Sequence, residues 1–290
     1  MRNELDAESA KMLSEVAKQK GISLCGIQRD QTTADFSRQG LKPPDAILLA
    51  SDLSQAVVTG SLTSLDVRSN DIVGDGAAKL SAAVFGNLKI QMFNKIPIKE
   101  MRANSITELD LKGKGIGVEG GLVVAGLLPV MGSLTSLNLS SNHFGAEGAA
   151  ALAPALAANG SLTVTNLLRN QLDARSAKML SEVAKQKGIS LCGIHRDQTT
   201  ADFSRQNLKP PDAILLASDL SQAGVTGSLT ALNLSSNHIG GHYRNGKMVH
   251  TPEGPKAVAD ALLVNGSLTK MWYVSPRTSK NWAHPLDPRS

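Results

Sequence analysis

The feature that most constrains this 290-residue chain is a spaced apolar frame that recurs along it. The segment Leu134-Thr-Ser-Leu137-Asn-Leu139-Ser-Ser-Asn142-His-Phe144 reads L-x-x-L-x-L-x-x-N-x-φ, with φ apolar. The same frame fits Leu62, Leu65, Val67, Asn70 and Ile72, and again Leu229, Leu232, Leu234, Asn237 and Ile239. It continues through Leu162, Thr165, Leu167, Asn170 and Leu172, a step of 28 residues from Leu134 to Leu162 and from Asn142 to Asn170. A looser copy runs Ile106, Leu109, Leu111 and Ile116, with Lys114 in the asparagine place. Residues 86–105 hold a further degenerate copy without a clear register.

Each position has a physical reason. Alternate apolar residues turn one face of a short strand inward. Such a strand cannot bury a core alone, so stacked copies must pair in parallel. The asparagine amide carries donors and an acceptor, which satisfy backbone groups of adjacent coils that would otherwise be buried unpaired. Lys114 offers no acceptor and is expected to be a weak point. Ala/Leu-rich stretches at helical spacing follow the strands at 76–84, 148–158 and 255–263, the last entered through Thr251-Pro252. Pro154 is expected to shorten or kink its helix.

On these motifs the chain resembles the ribonuclease-inhibitor-like class of leucine-rich repeats, found also in NOD-like receptors and Ran GTPase-activating proteins. The resemblance covers Asn3 to about Val274. It implies an α/β solenoid, a horseshoe with a parallel sheet on the concave face and helices on the convex face.

A second repetition is larger. From Asp6 to Leu65 the chain is copied 167 residues later, from Asp173, with five differing pairs: Glu8/Arg175, Gln28/His195, Gly40/Asn207, Val57/Gly224 and Ser64/Ala231. The domain reading is a solenoid over 1–274 with duplicated blocks 1–74 and 168–241, and an irregular tail over 275–290. Insertion loops are expected near 31–43, 198–210 and 241–251. Arg2-Asn3-Glu4-Leu5-Asp6 matches Arg169-Asn170-Gln171-Leu172-Asp173, so the chain opens mid-repeat and is expected to be a fragment of a longer array.

Composition narrows the function. Aromatic residues are 3% of the chain, so many similar aliphatic layers fill the core. The net charge of +5 comes without a Lys/Arg cluster, which argues against a nucleic-acid partner. No secretory signal opens the sequence, and the apolar stretch 122–131 is too short to span a bilayer, so a cytoplasmic or nuclear protein without a membrane partner is expected. The sequons at Asn159 and Asn265 follow from the repeat. Cys25 and Cys192, block equivalents, are expected to be buried free thiols, too many strands apart to bridge.

Gly115-Ile-Gly117-Val-Glu-Gly120 fits a dinucleotide-binding pattern, but Gly117 and Gly120 fall in the places of Gly145 and Gly148, where they serve the coil's turn. No acidic residue follows at the distance a ribose requires. His238, His242 and His250 lack the spacing and support of a zinc site and read as surface residues of an insertion. Neither a cofactor nor a catalytic set is expected.

What remains is the strand face. Its outward positions include Asp66, Arg68, Glu108, Asp110, Lys112, Arg169, His195, Arg196 and Trp272, most of the others being Ser, Thr, Asn or Ala. These are the expected contacts to another protein, with the chain a monomer or part of a longer polypeptide. Tyr243, Trp272, Tyr273 and Trp282 cluster at the C-terminal end, where Trp272 and Tyr273 either dock a partner or cover the last coil's core. The alternative function is the repeat portion of a GTPase-activating or NOD-like-receptor-type regulatory protein.

Overall fold

The computed structural model describes residues 4–244 and 247–273, so the tail over 275–290 and Trp282 lie outside the described residues. The described residues form two compact units, one of residues up to 134 with 141–161, the other of residues 135–140 with those from 162 onward.

In the first unit the order is α1 (Ala7–Lys20), β1 (Thr33–Asp35), α2 (Pro43–Leu53), α3 (Ala56–Thr59), β2 (Ser64–Asp66), α4 (Gly74–Gly86), β3 (Met92–Phe93), β4 (Ile96–Pro97), α5 (Ile98–Arg102), β5 (Glu108–Asp110), α6 (Gly117–Leu127) and α7 (Gly145–Ala158). Strands β1, β2 and β3 are parallel, with Ala34 opposite Leu65 and Leu65 opposite Phe93. Helices α1, α2, α4, α6 and α7 pack in that sequence. The second unit holds β6 (Ser136–Asn138), β7 (Val164–Asn166), α8 (Ala174–Lys187), β8 (Thr200–Asp202), α9 (Pro210–Leu220), α10 (Ala223–Thr226), β9 (Ala231–Asn233), β10 (Gly241–Arg244), β11 (Lys247–His250), α11 (Glu253–Leu262) and β12 (Lys270–Trp272). Parallel pairs join β6 to β7, β8 to β9, and β9 to β12. Short parallel strands alternating with helices are the α/β pattern expected of the repeat.

The helices start and stop where their sequence directs. Asp173 caps α8 by accepting the N–H of Ser176 at 2.7 Å, and Gly188 ends it at φ 66°. Helix α9 begins on Pro210 and Pro211, and Asp212 accepts the N–H of Lys209 at 2.8 Å. Residues 40 and 207 sit at φ 67° and 56°, a left-handed conformation that suits Gly40 and Asn207 alike. The other four differing pairs also fall at positions that are not buried.

The asparagines act as their positions require. Asn142 is fully buried, accepts the N–H groups of Gly115 and Ile116 at 2.9 and 3.3 Å, and donates to the Leu111 carbonyl at 2.8 Å. Asn70 serves Leu41 and Phe36, Asn170 serves Leu139, and Asn237 serves Leu208 and Phe203. Each one closes the turn of the coil before its own.

Several expectations are corrected. The stretches 31–43 and 198–210 are not loops throughout: each contains a three-residue framework strand, β1 or β8, followed by turn residues up to the next helix. Ala34 and Ala201 take the leucine place, and the asparagine of the following coil closes the turn. Within the stretch 241–251, Gly241–Arg244 and Lys247–His250 pair as antiparallel strands, Gly241 opposite His250 and Arg244 opposite Lys247. The unregistered stretch 86–105 supplies β3, a tight turn at Asn94 and Lys95 (φ 49° and 66°), β4 and α5. Helix α7 continues four residues past Pro154; both Pro154 and Ala150, whose carbonyl loses its helical partner, are exposed, so the missing bond is not one lost in the core. Lys114 is not an open rung. Its side chain is exposed, while buried Asn94 accepts the N–H of Val67 at 2.8 Å and donates forward to the Ile116 carbonyl and Glu119.

Candidate partner-binding surface

The outward strand positions are set by register. In the first unit Asp35 lies beside Asp66, and in the second Asp202, Asn233 and Trp272 form one row. Sequence reasoning missed Asp35 and Asp202, because Thr-Ala-Asp-Phe has no leucine to mark it as a strand.

Asp66 and Arg68 are brought together but largely occupied with each other. The Arg68 Nε and a terminal nitrogen donate to the Asp66 carboxylate at 2.8–3.0 Å. Its other terminal nitrogen donates to the Lys114 carbonyl at 2.9 Å, beyond the end of β5. Asp35, chiefly through the hydroxyl and N–H of Ser37, with Arg68 and Lys95 adding, is held below the usual carboxylate range. This group is a partly neutralised polar cluster rather than a free acidic patch.

Glu108, Asp110 and Lys112 are exposed on β5 and the turn after it, and Asp110 accepts the Lys112 N–H at 2.9 Å. They place two acids and one base side by side on that strand and turn. In the second unit Arg169 stands exposed at φ 62°, its N–H donated to Asp212 at 2.7 Å, which fixes where the guanidinium stem begins. His195 and Arg196 lie in an exposed turn, with Arg196 donating to the Gly188 carbonyl at 3.3 Å. Trp272 is 40% exposed and Tyr273 49%, so neither is buried as a core cover.

The competing motifs are absorbed by the framework. The N–H groups of Gly115 and Ile116 are held by the Asn142 side chain and that of Gly117 by the Asn142 carbonyl, so the donors a phosphate would use are spent. A Cβ at Gly120 would lie 2.7 Å from Ile116 Cβ, which is why that position is glycine. Asn159 is 2% exposed and donates to the carbonyls of Leu128 and Met131, so its amide closes the end of α7 rather than facing solvent. Cys192 is buried as expected, whereas Cys25 is partly exposed. Burial pushes both thiols up, Cys192 the more completely enclosed, so neither is a ready nucleophile. Among the described residues, no group of three His, Cys, Asp or Glu side chains gathers as metal ligands, and no helix is long and apolar enough to cross a membrane.

Buried acids form a support that the sequence did not disclose. Asp219 accepts the Leu191 N–H at 2.8 Å, the Cys192 N–H at 3.0 Å and the Ser190 hydroxyl at 2.7 Å. Asp52 does the same for Leu24, Cys25 and Ser23. Without regular strand pairing at these segments, the carboxylate supplies the acceptors and fixes the turn that carries His195 and Arg196.

A model of the leucine-rich-repeat family matches residues 61–81, 133–153 and 228–241, and these cover β2, β6 and β9 with their turns. The chain therefore carries leucine-rich repeats at three positions. Comparison with curated proteins returned no match.

Proposed function

We propose that the chain is a non-catalytic scaffold that binds another protein through the outward positions of its strands. On this reading residues 1–274 are one array of ribonuclease-inhibitor-like repeats, and Asp66, Arg68, Glu108, Asp110, Lys112, Arg169, His195, Arg196 and Trp272 contribute to the contact. The observation that carries it is the division of labour along β5, where Leu109 and Leu111 are buried in the frame while Glu108, Asp110 and Lys112 stand in solvent on a rigid strand and turn. Backbone positions fixed by a packed scaffold need no further ordering on binding, which favours recognition by many small polar contacts.

Affinity capture from the native cell extract tests this. Glu108→Lys/Asp110→Lys and Arg169→Glu/Arg196→Glu change only exposed side chains, so circular dichroism should match the wild type. Loss of the same captured protein in either variant is expected. A specific partner retained at full strength by both variants refutes the strand face as the contact surface.

A further inference from the structure

The duplicated blocks present one sequence in two environments. Leu180 and Ile189 are 0% and 2% exposed, but their equivalents Leu13 and Ile22 are 44% and 50% exposed. In the second block, β7 lies along Ser190–Cys192. Thr165 donates its N–H to the Ser190 carbonyl at 2.8 Å, and Ser190 and Gly193 donate to the carbonyls of Thr163 and Thr165 at 3.1 and 3.0 Å. The Asn166 side chain fills the space over Gly193, where a Cβ would come within 2.9 Å of it. At Gly26, the equivalent in the first block, that space is open. No described residue pairs with the N–H groups of Ser23 and Gly26.

The complementary half of this junction recurs at the other end of the chain. Residues 252–273 align without gaps on 146–167, sharing Glu-Gly, the alternate alanines and Asn-Gly-Ser-Leu-Thr. Here too the framework is less covered by the described residues: Leu268 and Met271 are only partly buried, whereas their equivalents Leu162 and Thr165 are buried. Strand β12 pairs with β9 through the Lys270 N–H and the Trp272 carbonyl, which bond Thr230 and Leu234. Backbone groups alternate in direction along a strand, so the N–H groups of Met271 and Tyr273 face the opposite edge, where no described residue pairs with them. These are the equivalents of Thr165 and Leu167, whose N–H groups bond Ser190 and Leu191.

We propose that this chain self-associates head to tail, the edge of β12 in one molecule docking on Ser23–Gly26 and the exposed face of α1 in a second copy. The contact repeats between molecules the junction that β7 makes with Ser190–Gly193 inside one. Trp272, in the place of Asn166, fills the space over Gly26. Because the two surfaces differ, the contact is heterologous, and a dimer formed by one such contact still carries one head and one tail through which further copies can add.

Sedimentation equilibrium of the full chain tests this with two variants. Leu13→Glu/Ile22→Glu blocks the head and Trp272→Glu blocks the tail, all at exposed positions, with circular dichroism confirming the fold. The wild type should show an average mass that rises with concentration beyond a dimer, and each variant alone should stay at 30.4 kDa. An equimolar mixture of the two should form a 1:1 dimer and stop there, since only one intact head and one intact tail remain. A wild type that stays monomeric, association that survives in either variant, or a mixture that does not dimerise overturns the proposal.

Discussion

The same substitution made once in each block isolates environment from sequence. Leu13 and Leu180 occupy the same position of α1 and α8, within the identical run Ser-Ala-Lys-Met-Leu-Ser-Glu-Val-Ala-Lys-Gln-Lys. Leu180 is 0% exposed, so Leu180→Ala removes the transfer energy of its buried atoms and leaves a cavity, a loss of about 2–5 kcal/mol. Leu13 is 44% exposed; its loss is partial, leaves no enclosed cavity, and is partly offset by the better helix propensity of alanine. Leu13→Ala should therefore cost under about 1 kcal/mol. Urea unfolding followed by circular dichroism, at protein concentrations where the chain is monomeric, gives the two midpoints. Their difference is read as stability only if the slopes agree with the wild type. Equal losses at the two positions would refute the reasoning, because identical sequence would then be acting through local propensity and not through what covers it.

Asn142→Ala leaves two N–H groups and one carbonyl of the preceding coil without a side-chain partner. It should cost about 3–5 kcal/mol, with hydrogen exchange at Gly115 and Ile116 accelerating most; unchanged exchange at those two amides would deny the asparagine its role. Burial pushes the Glu119 carboxyl from its usual 4.5 up to about 8. The folded protein then holds a proton that the unfolded chain releases above pH 4.5, so this group makes stability fall as pH rises from 4.5 to about 8 and level off beyond. Glu119→Gln keeps an acceptor for Asn94, so it should exceed the wild type in Tm above pH 8 and lose that advantage towards pH 4.5. A Tm difference that does not change with pH would count against it. Asp219, raised to about 7 by burial, supplies a slope of the same sign that remains in the variant.

The frame of β2, β6 and β9 was legible in the sequence because leucines at fixed spacing leave few other ways to bury them. Strands β1 and β8 were not. In Thr33–Asp35 and Thr200–Asp202 the inward residue is alanine, too common to mark a strand, and the asparagine place five residues on holds Gln39 or Gln206. Lys114 misled for a related reason: the missing amide is supplied by Asn94, which reaches forward as well as back. At the surface, Glu108, Asp110 and Arg169 could be assigned to solvent from the frame alone. The mutual engagement of Asp66 and Arg68 could not, since it depends on rotamers and on the path of the turn after β5.

The backward reach of Asn70, Asn142, Asn170 and Asn237 also gives the chain a direction in time. A ribosome delivers these coils from the N-terminal end, and each turn emerges before the residue that closes it. The Leu111 carbonyl gains its side-chain partner only once Asn142 is made, and that of Leu139 only once Asn170 is made, so during synthesis each of these turns can close only after the next coil has followed.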